Sequence, residues 1–126
     1  MVTADQLLCH AIGDYVIQSH WMATEKTKRW SVALIHAASY ALPFLLLRPS
    51  LAALAVMVFT HALIDRYRLA KYVSAVKNRV LGRNTIAECL GNGAPPDAPP
   101  FLAVWLLIIV DNVMHILINA AALRWL

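Results

Sequence analysis

The chain has 126 residues, of which 60% are hydrophobic and only 14% are Asp, Glu, Lys or Arg, with a formal net charge of +4. Soluble domains average about 45–50% apolar and about 25% charged residues, so an ordinary soluble enzyme is excluded and an integral membrane protein is expected. Residues 1–126 suffice for a single transmembrane domain of four spans of about 17–25 residues each.

The first segment is expected over residues 4–21. Thr3 with Gln6 has the spacing of a capping box, in which two side chains satisfy free backbone donors at a helix start. Residues 1–20 lack a basic leader and a small-residue cleavage site, and His10 and Asp14 interrupt the apolar run, so this segment reads as a retained helix. Gly13 beside Asp14 suits a close helix contact. A short polar turn from Trp21 to Trp30 follows, with Glu25, Lys26, Lys28 and Arg29 between the two tryptophans.

The second segment covers residues 31–47, with a kink expected at Pro43 and a stop at Arg48-Pro49, because proline lacks a donor and restricts its predecessor. Three residues then lead to the third segment, residues 51–80, so the two should be antiparallel neighbours. The third segment changes character after Asp65. Arg66, Arg68, Lys71, Lys77, Arg79 and Arg83 follow without an acid, interleaved with Leu69, Tyr72, Val73, Val76 and Val80. Such a basic amphipathic stretch is expected in the headgroup layer, where Arg66, Arg68 and Lys71 can meet anionic headgroups; it serves equally as a collar that fixes topology. Residues 82–100 form a Gly- and Pro-rich linker in which Thr85 and Glu88 can cap one helical turn, and the fourth segment runs over residues 101–126.

Lys26, Lys28, Arg29 and the six basic residues after Asp65 lie on one side, against Arg48 and Arg124 on the other. The positive-inside rule then places both termini on the non-cytoplasmic face of the plasma (inner) membrane of a multi-pass protein. The fold expected is an all-α, four-helix transmembrane bundle with a basic interfacial segment after the third helix.

A spacing of four residues puts side chains on one helix face. Each segment carries one such polar stripe: Gln6, His10, Asp14 and Gln18; His36 and Tyr40; His61 and Asp65; Asp111, His115 and Asn119. Lipid cannot satisfy these groups, so the stripes must face the bundle interior. At about 1.5 Å per residue, Asp14, His36, His61 and Asp111 lie roughly 8–15 Å from the cytoplasmic ends, with His10 and His115 a turn deeper and Asp65 a turn shallower.

A charge at mid-bilayer depth costs about 2.5–3.5 kcal/mol, while polar contacts between membrane helices return about 0.6 kcal/mol. A mere packing network is therefore an expensive use of His10, Asp14, His36, His61, Asp65, Asp111 and His115. A proton or ion pathway is a second reading. A metal centre is favoured, because three helices each carry two candidate ligands one turn apart, and mixed imidazole and carboxylate ligation suits zinc, iron or manganese, as one ion or two. Gln18, Tyr40 and Asn119 would be outer partners of the ligands. Neither Cys9 nor Cys89 lies on a polar stripe, and the two do not read as a disulfide framework. No phosphate loop, nucleophile elbow or nucleic-acid module is present.

The segments LLCHAIGDYVIQSHWMA, LIHAASYAL, THALID and DNVMHILI resemble, in order and spacing, a family of small multi-spanning membrane proteins of bacteria and phages, the domain of unknown function 3307 family. The resemblance covers nearly the whole chain and implies that His10, Asp14, Gln18, His36, His61, Asp65, Asp111 and His115 match the family's polar positions. The chain is also distantly similar to membrane-bound metal-dependent hydrolases, whose helices carry His and Asp ligands. The function expected is metal-dependent hydrolysis of a lipid-like or phosphorylated substrate at the cytoplasmic face, with Asp65 taking the proton of the attacking water. The alternative is a non-enzymatic protein whose His/Asp network is structural or carries ions. Expected partners are membrane lipid and anionic headgroups, not nucleic acid, and a homo-oligomer is compatible with the chain.

Overall fold

The computed structural model describes residues 2–126; 77% of the chain is helical and no strand occurs among the described residues. By contacts it divides into two units, one made of the chain up to Tyr67 with His115–Leu126, the other of Arg68–Met114.

In the first unit, α1 (Ala4–Ala11) starts at the expected capping box: the Thr3 hydroxyl accepts from Gln6 N, and Gln6 Oε1 accepts from Thr3 N. The helix does not run on to residue 21. It widens into a π-helical segment over Ile12–Ile17, and Gln18 then takes an extended backbone. Ser19 caps α2 (His20–Glu25) by accepting from Met22 N, so a short polar side chain ends the first segment by starting another helix.

α3 (Trp30–Ala41) gives way at Pro43 to a 3-10 turn, Pro43–Leu47, and Arg48 is left-handed at φ 51°. Proline's missing donor is the reason for the change of helix type. α4 (Leu51–Tyr67) opens with the Ser50 hydroxyl accepting from Ala53 N. Ala33 and Ala37, early in α3, cluster with Ala62 and Val58, late in α4, while Phe44 clusters with Ala53 and Met57. The pair is therefore antiparallel, and its small residues let the two backbones approach closely. The third segment was expected to run unbroken to residue 80. Arg68, with φ 51°, interrupts it, since a left-handed residue cannot sit inside a right-handed helix.

The second unit contains α5 (Ala70–Leu81), α6 (Ile86–Cys89) and the first part of α7 (Pro100–Trp125). α6 is the single turn expected from Thr85 and Glu88, whose capping box is complete. Gly93, at φ 86°, approaches Ser74 and Lys71 so closely that any side chain would collide, and the Asn78 amide donates to its carbonyl. Two helical stretches, Trp30–Leu47 and Pro100–Trp125, are long and apolar enough to cross a membrane.

A candidate metal centre of paired histidines and aspartates

The polar stripes of the first, second and third segments meet inside the first unit. The π segment carries Asp14, α3 carries His36, and α4 carries His61 and Asp65; relative exposures are 7%, 0%, 1% and 5%. Burial this complete removes water as a partner, so these groups must satisfy one another or hold an ion. A π turn resets side-chain direction within a helix and is frequent at functional sites. Here it coincides with Gly13, where an added Cβ would stand 2.5 Å from the Tyr40 ring and 2.7 Å from its carbonyl oxygen, so only glycine lets the Asp14 backbone lie this close to α3.

Four atoms converge. His36 Nε2 and His61 Nε2 are 3.0 Å apart. Asp14 Oδ1 is 3.3 Å from the first and 3.4 Å from the second, and Asp65 Oδ2 is 3.2 Å from each. Ligand atoms bound at about 2.1 Å to one ion stand about 3.0 Å apart at a right angle and about 3.4 Å apart at a tetrahedral angle. All five separations fall in that interval. Each carboxylate oxygen thus stands at the distance from both imidazoles that ligands of one divalent ion keep. Both Nδ1 atoms, of His36 and of His61, are buried without a hydrogen-bond partner.

His115 is the next neighbour. Its ring stacks on His61 at 4.0 Å, and its Nε2 is 3.8 Å from Asp65 Oδ1. Asp14, His61 and His115 form one group of atoms close enough for an ion, and His36, His61 and Asp65 form another. His10 stands to the side, with Nδ1 3.7 Å from Asp14 Oδ2. Asp111 belongs to the second unit, one turn before His115 on α7, and is half-buried.

The outer partners differ from expectation in their connections. Tyr40, expected as an outer partner of the ligands, meets an imidazole and not a carboxylate: the Asn119 amide donates to its oxygen, and its hydroxyl shares a hydrogen bond with His10 Nδ1 at 2.8 Å. Gln18 ends the π segment, and its Oε1 is buried without a hydrogen-bond partner. Arg66 was expected at a headgroup; its guanidinium donates to the Thr27 carbonyl at 2.6 Å and lies beside the Tyr67 ring. Arg68 and Lys71 fall in the second unit.

Sequence reasoning left out one residue. Lys26, read as part of a solvent-facing turn, places Nζ 2.9 Å from Asp65 Oδ2 and 3.3 Å from His36 Nε2. No periodicity signals this, because the lysine lies between helices and only the return of the chain after α2 brings it back. Nearby Glu25 remains at the surface, where the Lys28 ammonium at 2.8 Å holds its carboxyl below the usual glutamate range.

A family model described as a protein of unknown function (DUF3307) matches residues 2–125. No curated protein and no solved structure matches the chain.

Proposed function

The chain belongs to the DUF3307 family, whose function is unknown, and from its own residues we propose that it is an integral membrane protein built around a divalent-metal centre. Asp14 Oδ1, His36 Nε2, His61 Nε2 and Asp65 Oδ2 are the primary ligands, and the observation that carries this is that the two imidazole nitrogens stand 3.0–3.4 Å from each other and from each carboxylate oxygen. His10 and His115 flank them within the first unit, where they can orient ligands. Zinc, iron and manganese all suit this donor set.

The membrane reading is supported by apolar surface that water would penalise. On α7, Phe101, Trp105 and Trp125 are 68%, 60% and 72% exposed, and Leu46 and Leu51 exceed 80%. Lipid covers such a surface, and four spans with both termini outside the cytoplasm fit the distribution of Lys and Arg. The basic stretch after Asp65 would lie among anionic headgroups.

The chemistry proposed is hydrolysis of an ester or phosphoester of a lipid-like substrate. A bound divalent ion supplies a water of lowered pKa. Asp65 turns Oδ2 to the centre and Oδ1 toward His115, so the Asp65–His115 pair is placed to receive a proton. Metal analysis of detergent-purified protein tests the centre: about one equivalent of a transition metal is expected, lost in His36→Ala and His61→Ala. Hydrolysis assays on phospholipids and polyprenyl phosphates, with metal and with chelator, test the enzyme.

One observation favours a second reading. Asn119, Tyr40, His10, Asp14, the His36/His61 pair, Asp65 and His115 follow one another in a continuous polar chain, the arrangement that a proton relay needs. Proton flux in liposomes, abolished by Asp14→Asn and indifferent to chelator, would establish the relay in place of the metal centre.

A further inference from the structure

Lys26 has no place in a site whose only task is to hold a cation. Asp14 and Asp65 together offset the charge of a divalent ion, and a further positive group beside them repels it. Yet the Lys26 side chain is drawn in to 15% exposure, while Lys28, two residues on, is 64% exposed. Nζ stands 2.9 and 3.3 Å from two of the four converging atoms, the separation that neighbouring ligands keep around one ion. It therefore borders the Asp65–His36 edge at the distance of an additional ligand.

The turn that carries Lys26 is anchored. Arg66 donates to the carbonyl of Thr27, the Trp30 ring meets the Tyr67 ring edge-on at 5.7 Å, and Lys28 pairs with Glu25. A lysine on a free loop would keep its ammonium in water; this one is held over the centre from the α4 side.

We propose that Lys26 is an anion-binding residue of the candidate metal centre, and that the site takes a phosphate-class oxyanion between the ion and the Lys26 ammonium. The proposal rests on the metal reading above. Two carboxylates and one ammonium carry a net single negative charge, a divalent ion turns it to a single positive one, and a monoanionic ligand neutralises it. A buried uncompensated charge is strongly disfavoured, so the loaded site selects an anion. Phosphate has the geometry for this, since separate oxygens reach the ion and the ammonium at once, each through a charge-assisted contact. The phosphate can belong to a lipid headgroup or be free in solution, and the chemistry of recognition is the same.

The test uses the full-length protein in detergent, loaded with Co2+, whose visible absorption reports its ligands. Inorganic phosphate in one arm and short-chain phosphatidic acid in the other should shift the spectrum saturably. Tighter response to the lipid assigns the phosphate to a headgroup, and an equal response assigns it to the free ion. Lys26→Gln should keep Co2+ but bind phosphate at least about tenfold more weakly, with Lys26→Arg retaining most of the affinity. Lys26→Arg also serves as the charge-preserving control if the glutamine variant does not fold, and phosphate binding by it weaker than about tenfold below wild type would then count against the proposal. Cobalt uptake by the wild type without any phosphate response overturns the proposal alone. So does a Lys26→Gln protein that binds phosphate as well as wild type, or one that merely binds Co2+ more tightly, which would make Lys26 a plug. Failure of the wild type to take up Co2+ removes the metal reading itself.

Discussion

The Tyr40 ring lies over the His61 ring, 3.9 Å between centroids and 25° from parallel, so a tyrosine of α3 fixes the plane of a candidate ligand on α4. Its hydroxyl takes no part in the cluster and binds His10 and Asn119 instead. Tyr40→Phe keeps the stacked ring and removes the acceptor of the buried Asn119 amide, a loss of about 1–3 kcal/mol. We expect a lower unfolding temperature in detergent with metal content unchanged. Loss of metal would mean that the hydroxyl reaches the ion.

Gly13→Ala should be severe for its size. The added methyl meets the Tyr40 ring and carbonyl at 2.5 and 2.7 Å, and both belong to the core of the first unit. Overpacking of this kind costs about 1–3 kcal/mol, and separation of the π segment from α3 would carry Asp14 away from His36. Reduced thermal stability together with reduced metal content is the expected pair of results. Wild-type metal content in a destabilised protein would free Asp14 of a ligand role.

Removal of ligands should grade by position. His36→Ala and His61→Ala each delete an atom of the central four and should lower metal affinity by at least about tenfold, whereas Asn119→Ala, which removes a donor to Tyr40, should lower it far less. Competition with a chromophoric chelator measures this. Equal losses in all three variants would point to a fold defect.

Metal binding should weaken as pH falls. Protons compete with the ion for imidazole nitrogens and carboxylate oxygens, so each ligand that must be deprotonated steepens the dependence. Retention measured by dialysis from neutral to mildly acidic buffer should decline with pH, and a chelator at neutral pH should mimic acid. A centre that holds its ion unchanged through that range would not be made of histidines.

For topology, single cysteines at Val2 and Gly91, in a chain with Cys9 and Cys89 replaced by alanine, should label from opposite sides of the membrane. Val2 is exposed, and Gly91 has nothing within 4 Å of an added Cβ, so neither substitution disturbs packing. Labelling of both from one side would overturn the arrangement of spans inferred from the basic residues.

Much of this was legible in the sequence because it is local. The capping boxes at Thr3–Gln6 and Thr85–Glu88 need only residues three apart, and the pairing of His61 with Asp65 on one face follows from the pitch of a helix, which the chain cannot alter. The antiparallel pairing of α3 and α4 follows from a connection of three residues. Composition pointed to the all-helical class for a similar reason, since long apolar segments meet their backbone hydrogen bonds locally as helices.

Only the tertiary structure decided which stripes share atoms. Distances between helices depend on packing, and packing turns on details such as Gly13 against Tyr40, which no periodicity encodes. The same holds for the breaks at Gln18 and Arg68, where a competing cap and a left-handed backbone override an apolar pattern that reads as continuous. Lys26 is the clearest case. A long side chain on a turn can point to water or inward with equal local ease, and the contacts that hold its turn, Arg66 to Thr27 and Trp30 to Tyr67, join residues almost forty positions apart.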